Sequence, residues 1–252
     1  MAAEIVERLD RVQEQTERAG IRFATGAEVT ESLKSALVDS NRLTFRGGTG
    51  TYTRVETLPK LIGHARGRRD LTVRLEILSP DHAACNRYAE LYKSLADEGD
   101  DAQTWTAKGT QIEVFATILA VCWYKQRSGH LLDIELALTS RESMFRFDLT
   151  SEYLIVTQRG PRYPAMIVKK GLPEYDSWSI ELRTSFNASE RVPLERASAV
   201  ALSREPTVPE VRALFEILGL DLPADFDETD VRTIISKALK RESNPNPAGL
   251  GD

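Results

Sequence analysis

The chain has little of what would tie it to a membrane, an oxidising compartment or a nucleic acid. No apolar run reaches the ~18 residues that a bilayer-spanning helix needs, and the first residues, MAAEIVERLDRVQ, are acidic and amphipathic where a secretory leader is basic and then apolar. A cytoplasmic protein with no membrane span is the expectation. Only two cysteines occur, Cys85 and Cys122, with no C-x-x-C pair and no His/Cys cluster of zinc spacing. Free buried thiols are therefore expected, with no metal centre and no cofactor. Net charge is −5 and the isoelectric point about 5.5, which argues against a general nucleic-acid surface. Trp105, Trp123 and Trp178 lack interleaved Lys and Arg, so they read as core anchors instead of base-stacking platforms.

Ordinary globular material is present: 252 residues, 41% hydrophobic and 28% charged, enough for one generous domain with a small appendage. The most informative stretch is LTFRGGTGTYTRVETLPKLIGHARGRR, residues 43–69. Leu43, Thr44 and Phe45 have strand character, and the glycines of Arg46-Gly47-Gly48-Thr49-Gly50 permit positive φ and close backbone approach. From Thr53 the spacing Val55, Leu58, Leu61, Ile62 and Ala65 is helical, so the loop feeds a helix N-terminus, where amide groups and the macrodipole favour an anion. Arg46 and Arg54 flank that position. The competing reading is a turn whose glycines serve packing alone, beneath solvated arginines.

Elsewhere, Ile5, Leu9, Val12 and Thr16 form one face of a charged first helix that Gly20 stops. A strand at 21–24, a helix from 25 to 41, a strand at 71–78, a helix at 81–95 and an acidic mobile loop at 96–103 follow. Residues 112–126 are apolar nearly all round, as a helix buried against a sheet would be. Strands are expected at 131–138, 144–148, 153–157 and 165–169, and a helix at 175–191. Residues 193–207 read as a linker, 208–242 as a two-helix appendage capped at Asp227 or Thr229 and suited to a protein partner, and 243–252 as a disordered tail. The expected fold is α/β, a mixed sheet flanked by helices, in a domain covering 1–192.

This order, and the segment MFRFDLTSEYLIVTQRGPRYPAMIVKKG…YDSWSIELRTSF from Met144 to Phe186, resembles one repeat of the phospholipase D-like superfamily, in particular the modules of actinobacterial regulators and prokaryotic conflict-system proteins. Active members carry H-x-K-x4-D, in which histidine attacks phosphorus, lysine neutralises phosphate and the acid orients the histidine. Here Phe145, Arg146, Phe147 and Asp148 stand at that place, and the partial mimic His64-Ala65-Arg66 with Asp70 has its acid one position early. The resemblance implies a pseudoenzyme. A second likeness, of GGTGTYTR at 47–54 to the G-G-x-G-T-x-x-E loop of the lysine decarboxylase-like nucleotide-processing family, puts Arg54 where a glutamate belongs and favours binding over hydrolysis.

Other chemistry is thinly supported. His82 and His130 read as cap and turn residues, Ser143 lies in no G-x-S-x-G elbow, and both thiols lie on apolar helix faces. The expectation is a non-catalytic sensor or scaffold in which Arg46, Gly47, Gly48, Thr49, Gly50, Arg54 and a converging Arg146 hold an anionic, phosphate-bearing small molecule. Two alternatives stand beside it: a metal-dependent phosphoester or nucleotide hydrolase using Asp133, Glu135 or Asp148, and a purely structural homo-oligomer.

Overall fold

The computed structural model describes residues 20–38, 40–65, 71–94, 105–128, 132–158 and 163–239. The expected first helix, the acidic loop at 96–103, His130, Arg66 and Asp70 of the His64–Asp70 mimic, and the C-terminal tail lie outside the described residues. The elements are β1 (Ile21–Ala24), α1 (Ala27–Val38), β2 (Arg42–Arg46), a π-helical turn (Thr53–Thr57) running into α2 (Leu58–Ala65), β3 (Leu71–Leu78), α3 (His82–Ser94) and α4 (Ala107–Ser128). There follow β4 (Leu132–Thr139), β5 (Arg146–Leu149), β6 (Tyr153–Thr157), β7 (Ala165–Lys169), α5 (Pro173–Ala188), β8 (Glu190–Arg191), a 3-10 turn (Arg196–Ala199), α6 (Val208–Leu218) and α7 (Glu228–Leu239).

The strands form one mixed eight-stranded sheet in the order β1-β7-β6-β5-β2-β3-β4-β8. β2, β3 and β4 are parallel, and each needs a helical crossover because parallel neighbours cannot be joined by a tight turn. β5, β6 and β7 pair antiparallel, with β1 antiparallel at the far edge. Paired residues share a face, so one row crosses the sheet on the side covered by α5: Phe23, Met166, Val156, Phe147, Arg46, Glu76, Ala137 and Arg191. The opposite face carries Phe45, Leu75, Leu136, Asp148 and Ile155, against α4 and α1.

α4 is longer than its apolar stretch because the Thr106 hydroxyl accepts the Gly109 N–H at 3.0 Å and caps an added polar turn. Its apolar circumference is explained by contact on both sides, with Val114, Ile118, Leu119 and Cys122 fully buried in the main core. α6 and α7 belong to that core: Phe115 meets Phe215 edge-on at 5.0 Å and Phe226 at 6.0 Å. Thr207 and Glu210 make a reciprocal capping box for α6, and Gly219 ends it at φ 69°. Asp227, not Thr229, begins α7, its carboxylate accepting the Asp230 N–H at 2.9 Å.

Two expectations are corrected. Residues 193–207 are a packed strap, not a free linker, since the Gln126 side chain donates to Ala197 O and Val200 O and accepts from Leu202 N–H. The last helix of the domain stops at Ala188, and Glu190–Arg191 peels away to pair with β4, with Val192 N–H donating to Leu136 O at 2.9 Å. Among the described residues no helix is long and apolar enough to cross a membrane.

Candidate functional site

The glycine loop continues β2 instead of splaying open. Gly47 N–H donates to Glu76 O at 3.1 Å and Leu78 N–H donates to Gly48 O at 3.0 Å, so the loop stays laddered to β3. A Cβ on Gly48 would lie 2.0 Å from the Tyr88 hydroxyl, and Gly50, at φ 71°, would put one 3.0 Å from Thr117 Cγ2. The glycines therefore let α3 and α4 close on the backbone. Tyr88 cannot swing clear, because its ring packs on Tyr92 at 4.5 Å and Trp105 at 6.0 Å. Gly48→Ala is expected to cost about 2 kcal/mol of unfolding free energy through overpacking, and adding Tyr88→Ala should make the alanine nearly harmless; chemical denaturation checks both.

The side chains of Thr51 and Arg54, in the first turn after the glycine loop, are met by a carboxylate from elsewhere in the chain. Glu113 on α4 accepts from Thr51 Oγ1 at 2.9 Å and from Arg54 Nη2 at 2.7 Å through one oxygen, while the other lies 2.5 Å from Lys237 Nζ on α7. Arg54 is 3% exposed, and its Nη1 also donates to Glu113 O and to Thr117 Oγ1. Burial would push the Glu113 carboxyl up, but the Arg54 guanidinium and hydrogen bonds from Lys237 and Arg54 outweigh it and hold the group below its ordinary 4.5. Arg54 thus leaves the predicted ligand set. Glu113 carries its own sequence signal: the lone acid of a largely apolar helix, it must be paired when buried.

The remaining arginines do not converge. Arg46 points to the α5 face, its Nε 3.5 Å from Glu76 Oε1, which also accepts from Ser185 and Ser189 at 2.8 and 3.2 Å. Glu76 is 1% exposed and its Oε2 has no hydrogen-bond partner among the described residues. Arg146 points to the other face, gripping Asp148 with two bonds of 2.6 and 2.7 Å while its guanidinium lies 4.5 Å from the Tyr52 ring and 5.4 Å from Phe45. Burial pushes the Tyr52 phenol up to about 12, only partly opposed by Arg146.

The acids of the hydrolase alternative are separated by the sheet. Asp133 and Glu135 lie on the α5 face, both 2.8 Å from Arg74 Nη2, whereas Asp148 is buried on the other side. Among the described residues no three His, Cys, Asp or Glu are grouped to hold a metal ion. Asp81, not the exposed His82, caps α3 by accepting the Ala84 N–H at 2.8 Å. Ser143 serves a turn, donating to Phe145 O. Cys85 and Cys122 are free, buried and pushed up to about 12 by burial.

No family model matches this chain, and no curated protein matches it. Among solved structures it is similar to TrmBL2, described as an archaeal chromatin protein with a novel mode of DNA binding, at a TM-score of 0.40 and 10% identity, over 76% of this chain and 65% of that one. The chain thus spans just under two thirds of that protein's length.

Proposed function

We propose that this protein is a non-catalytic scaffold module, a frame of the phospholipase D-like kind without H-x-K-x4-D chemistry, which holds its C-terminal helices for a protein partner. The supporting observation is the Glu113 carboxylate held by the Thr51 and Arg54 side chains after the glycine loop. Bonded to Thr51 and Arg54 and paired with Lys237, Glu113 ties α7 to the loop. A cleft of about 500 Å³ opens between α7 and the start of α6, lined by Pro206, Val208 and Ile235 together with Glu205, Glu228 and Arg232.

A second reading keeps the anionic, phosphate-bearing ligand and narrows it to Arg46. Its ion pair with Glu76 is the longest of the three arginine pairs, and at 21% its side chain is the most exposed of the three, which makes it the one a phosphate could reach most readily. Thermal-shift titration with inorganic phosphate, a nucleoside monophosphate and a sugar phosphate separates the readings. The scaffold predicts shifts below about 1 °C. A larger shift that disappears in Arg46→Ala would establish the sensor instead. Turnover on phosphoesters that chelator abolishes and Asp148→Asn lowers would establish the hydrolase.

A further inference from the structure

The charge of this chain is not spread evenly. Residues 205–239, from the end of the strap through α7, hold eight carboxylates against three basic side chains, a net −5. That equals the excess of the whole chain, so the remaining residues balance. The three basic groups are also engaged: Lys237 pairs with Glu113, the Arg212 guanidinium donates to Phe226 O at 2.9 Å, and Arg232 pairs with Glu228. Lys108 of α4 reaches in to Asp230 at 2.7 Å and offsets one of the acids. The C-terminal helices therefore carry a negative field beside a neutral α/β domain.

The cleft between α7 and the start of α6 lies within this acidic part. Its apolar ground is Val208 and Ile235, both half-buried against the main core, beside the buried Pro206. Glu205 and Glu228 line it as exposed carboxylates. Glu228 is matched by Arg232, whereas the Glu205 carboxylate has no salt bridge among the described residues. The walls are preformed: Thr207 and Glu210 close the capping box, the Ser203 hydroxyl donates to Glu210 at 2.9 Å, and Pro209 sets the first turn of α6. A segment entering here meets a fixed shape, so little ordering of the cleft opposes binding.

We infer that the cleft docks a basic, aliphatic segment of the partner protein, with an aliphatic side chain on Val208 and Ile235 and flanking Lys or Arg side chains facing Glu205 and Glu228. This inference rests on the scaffold reading and adds the partner's chemistry to it. A basic segment fits on two counts: its charge matches the surplus of the C-terminal helices, and long basic side chains lay their methylene stems on apolar ground while the head stays at a carboxylate. An acidic segment or a nucleic acid would meet like charge on the same helices.

Model peptides test the docking by fluorescence anisotropy with the full chain. Three dye-labelled peptides of equal length are compared: helical leucine–lysine, leucine–glutamate and serine–lysine. The leucine–lysine peptide should bind about tenfold tighter than either of the others, with the preference falling as salt is raised. Ile235→Ser should weaken its binding several-fold, and so should Glu205→Gln combined with Glu228→Gln, which alters only exposed groups and keeps the fold. Glu174→Gln with Glu181→Gln, exposed acids of α5 on the other side of the sheet, should leave binding unchanged. Tighter binding of the leucine–glutamate peptide, still lost in Ile235→Ser, would overturn the basic partner and leave the scaffold standing. Absence of cleft-dependent binding, or an equal loss from the α5 control, would overturn the docking site. The scaffold reading is refuted separately, by a phosphate-induced thermal shift that disappears in Arg46→Ala.

Discussion

Arg54→Met is expected to lower the unfolding free energy by about 3 kcal/mol, because it leaves the Glu113 carboxylate without its principal counter-charge in a largely desolvated site. The loss sits at the low end for a broken buried pair, since Glu113 keeps Lys237 and its side chain is 18% exposed. Glu113→Leu in the same background should recover most of it, and urea denaturation of the two single variants and the double variant measures the coupling. A ligand-binding arginine would behave oppositely: its removal would leave the free protein's stability within about 0.5 kcal/mol. The same pair also sets an acid limb. The folded Glu113 carboxyl lies below its ordinary 4.5, so its contribution is complete above that pH and is lost as pH falls through the depressed folded value. Since Arg54→Met removes the main cause of the depression, the gap between wild type and variant should narrow as pH is taken from 6 to 3.

Phe215→Ala should cost about 4 kcal/mol and shift one cooperative transition of the whole chain. Phe215 is fully buried and packs edge-on against Phe115, which is itself in the helix lying on the sheet. If α6 and α7 were a separable unit, the substitution would instead split the denaturation curve, with the α/β domain melting at its original midpoint. Tryptophan fluorescence and far-UV circular dichroism should move together, because the Gln126-anchored strap joins the two parts.

These expectations differ from the sequence reading at identifiable points. Strands at 21–24, 71–78, 153–157 and 165–169 coincide with the structure because their apolar and β-branched runs are bounded by Gly, Pro or polar turns. Residues 193–207 read as a linker because their apolar members follow neither a helical nor a strand period; Leu194, Ala197 and Leu202 are nevertheless buried, and a glutamine from another helix holds the backbone around them. Arg46 and Arg146 looked convergent because their strands are neighbours, but Arg46 pairs with Phe147, and the period of two sends Arg146 to the opposite face.

Local chemistry by itself determined the mixed α/β class, the glycine loop leading into a helix, and the demand of that helix N-terminus for negative charge, since periodicity, turn residues and orphan amides are properties of short stretches. Only the tertiary structure decided which charged group lies against the Thr51 and Arg54 side chains there. A carboxylate from Glu113, far away in sequence, reaches the site through packing between α4, the π-helical turn and α7, and such long-range pairing leaves no periodic trace in a single chain.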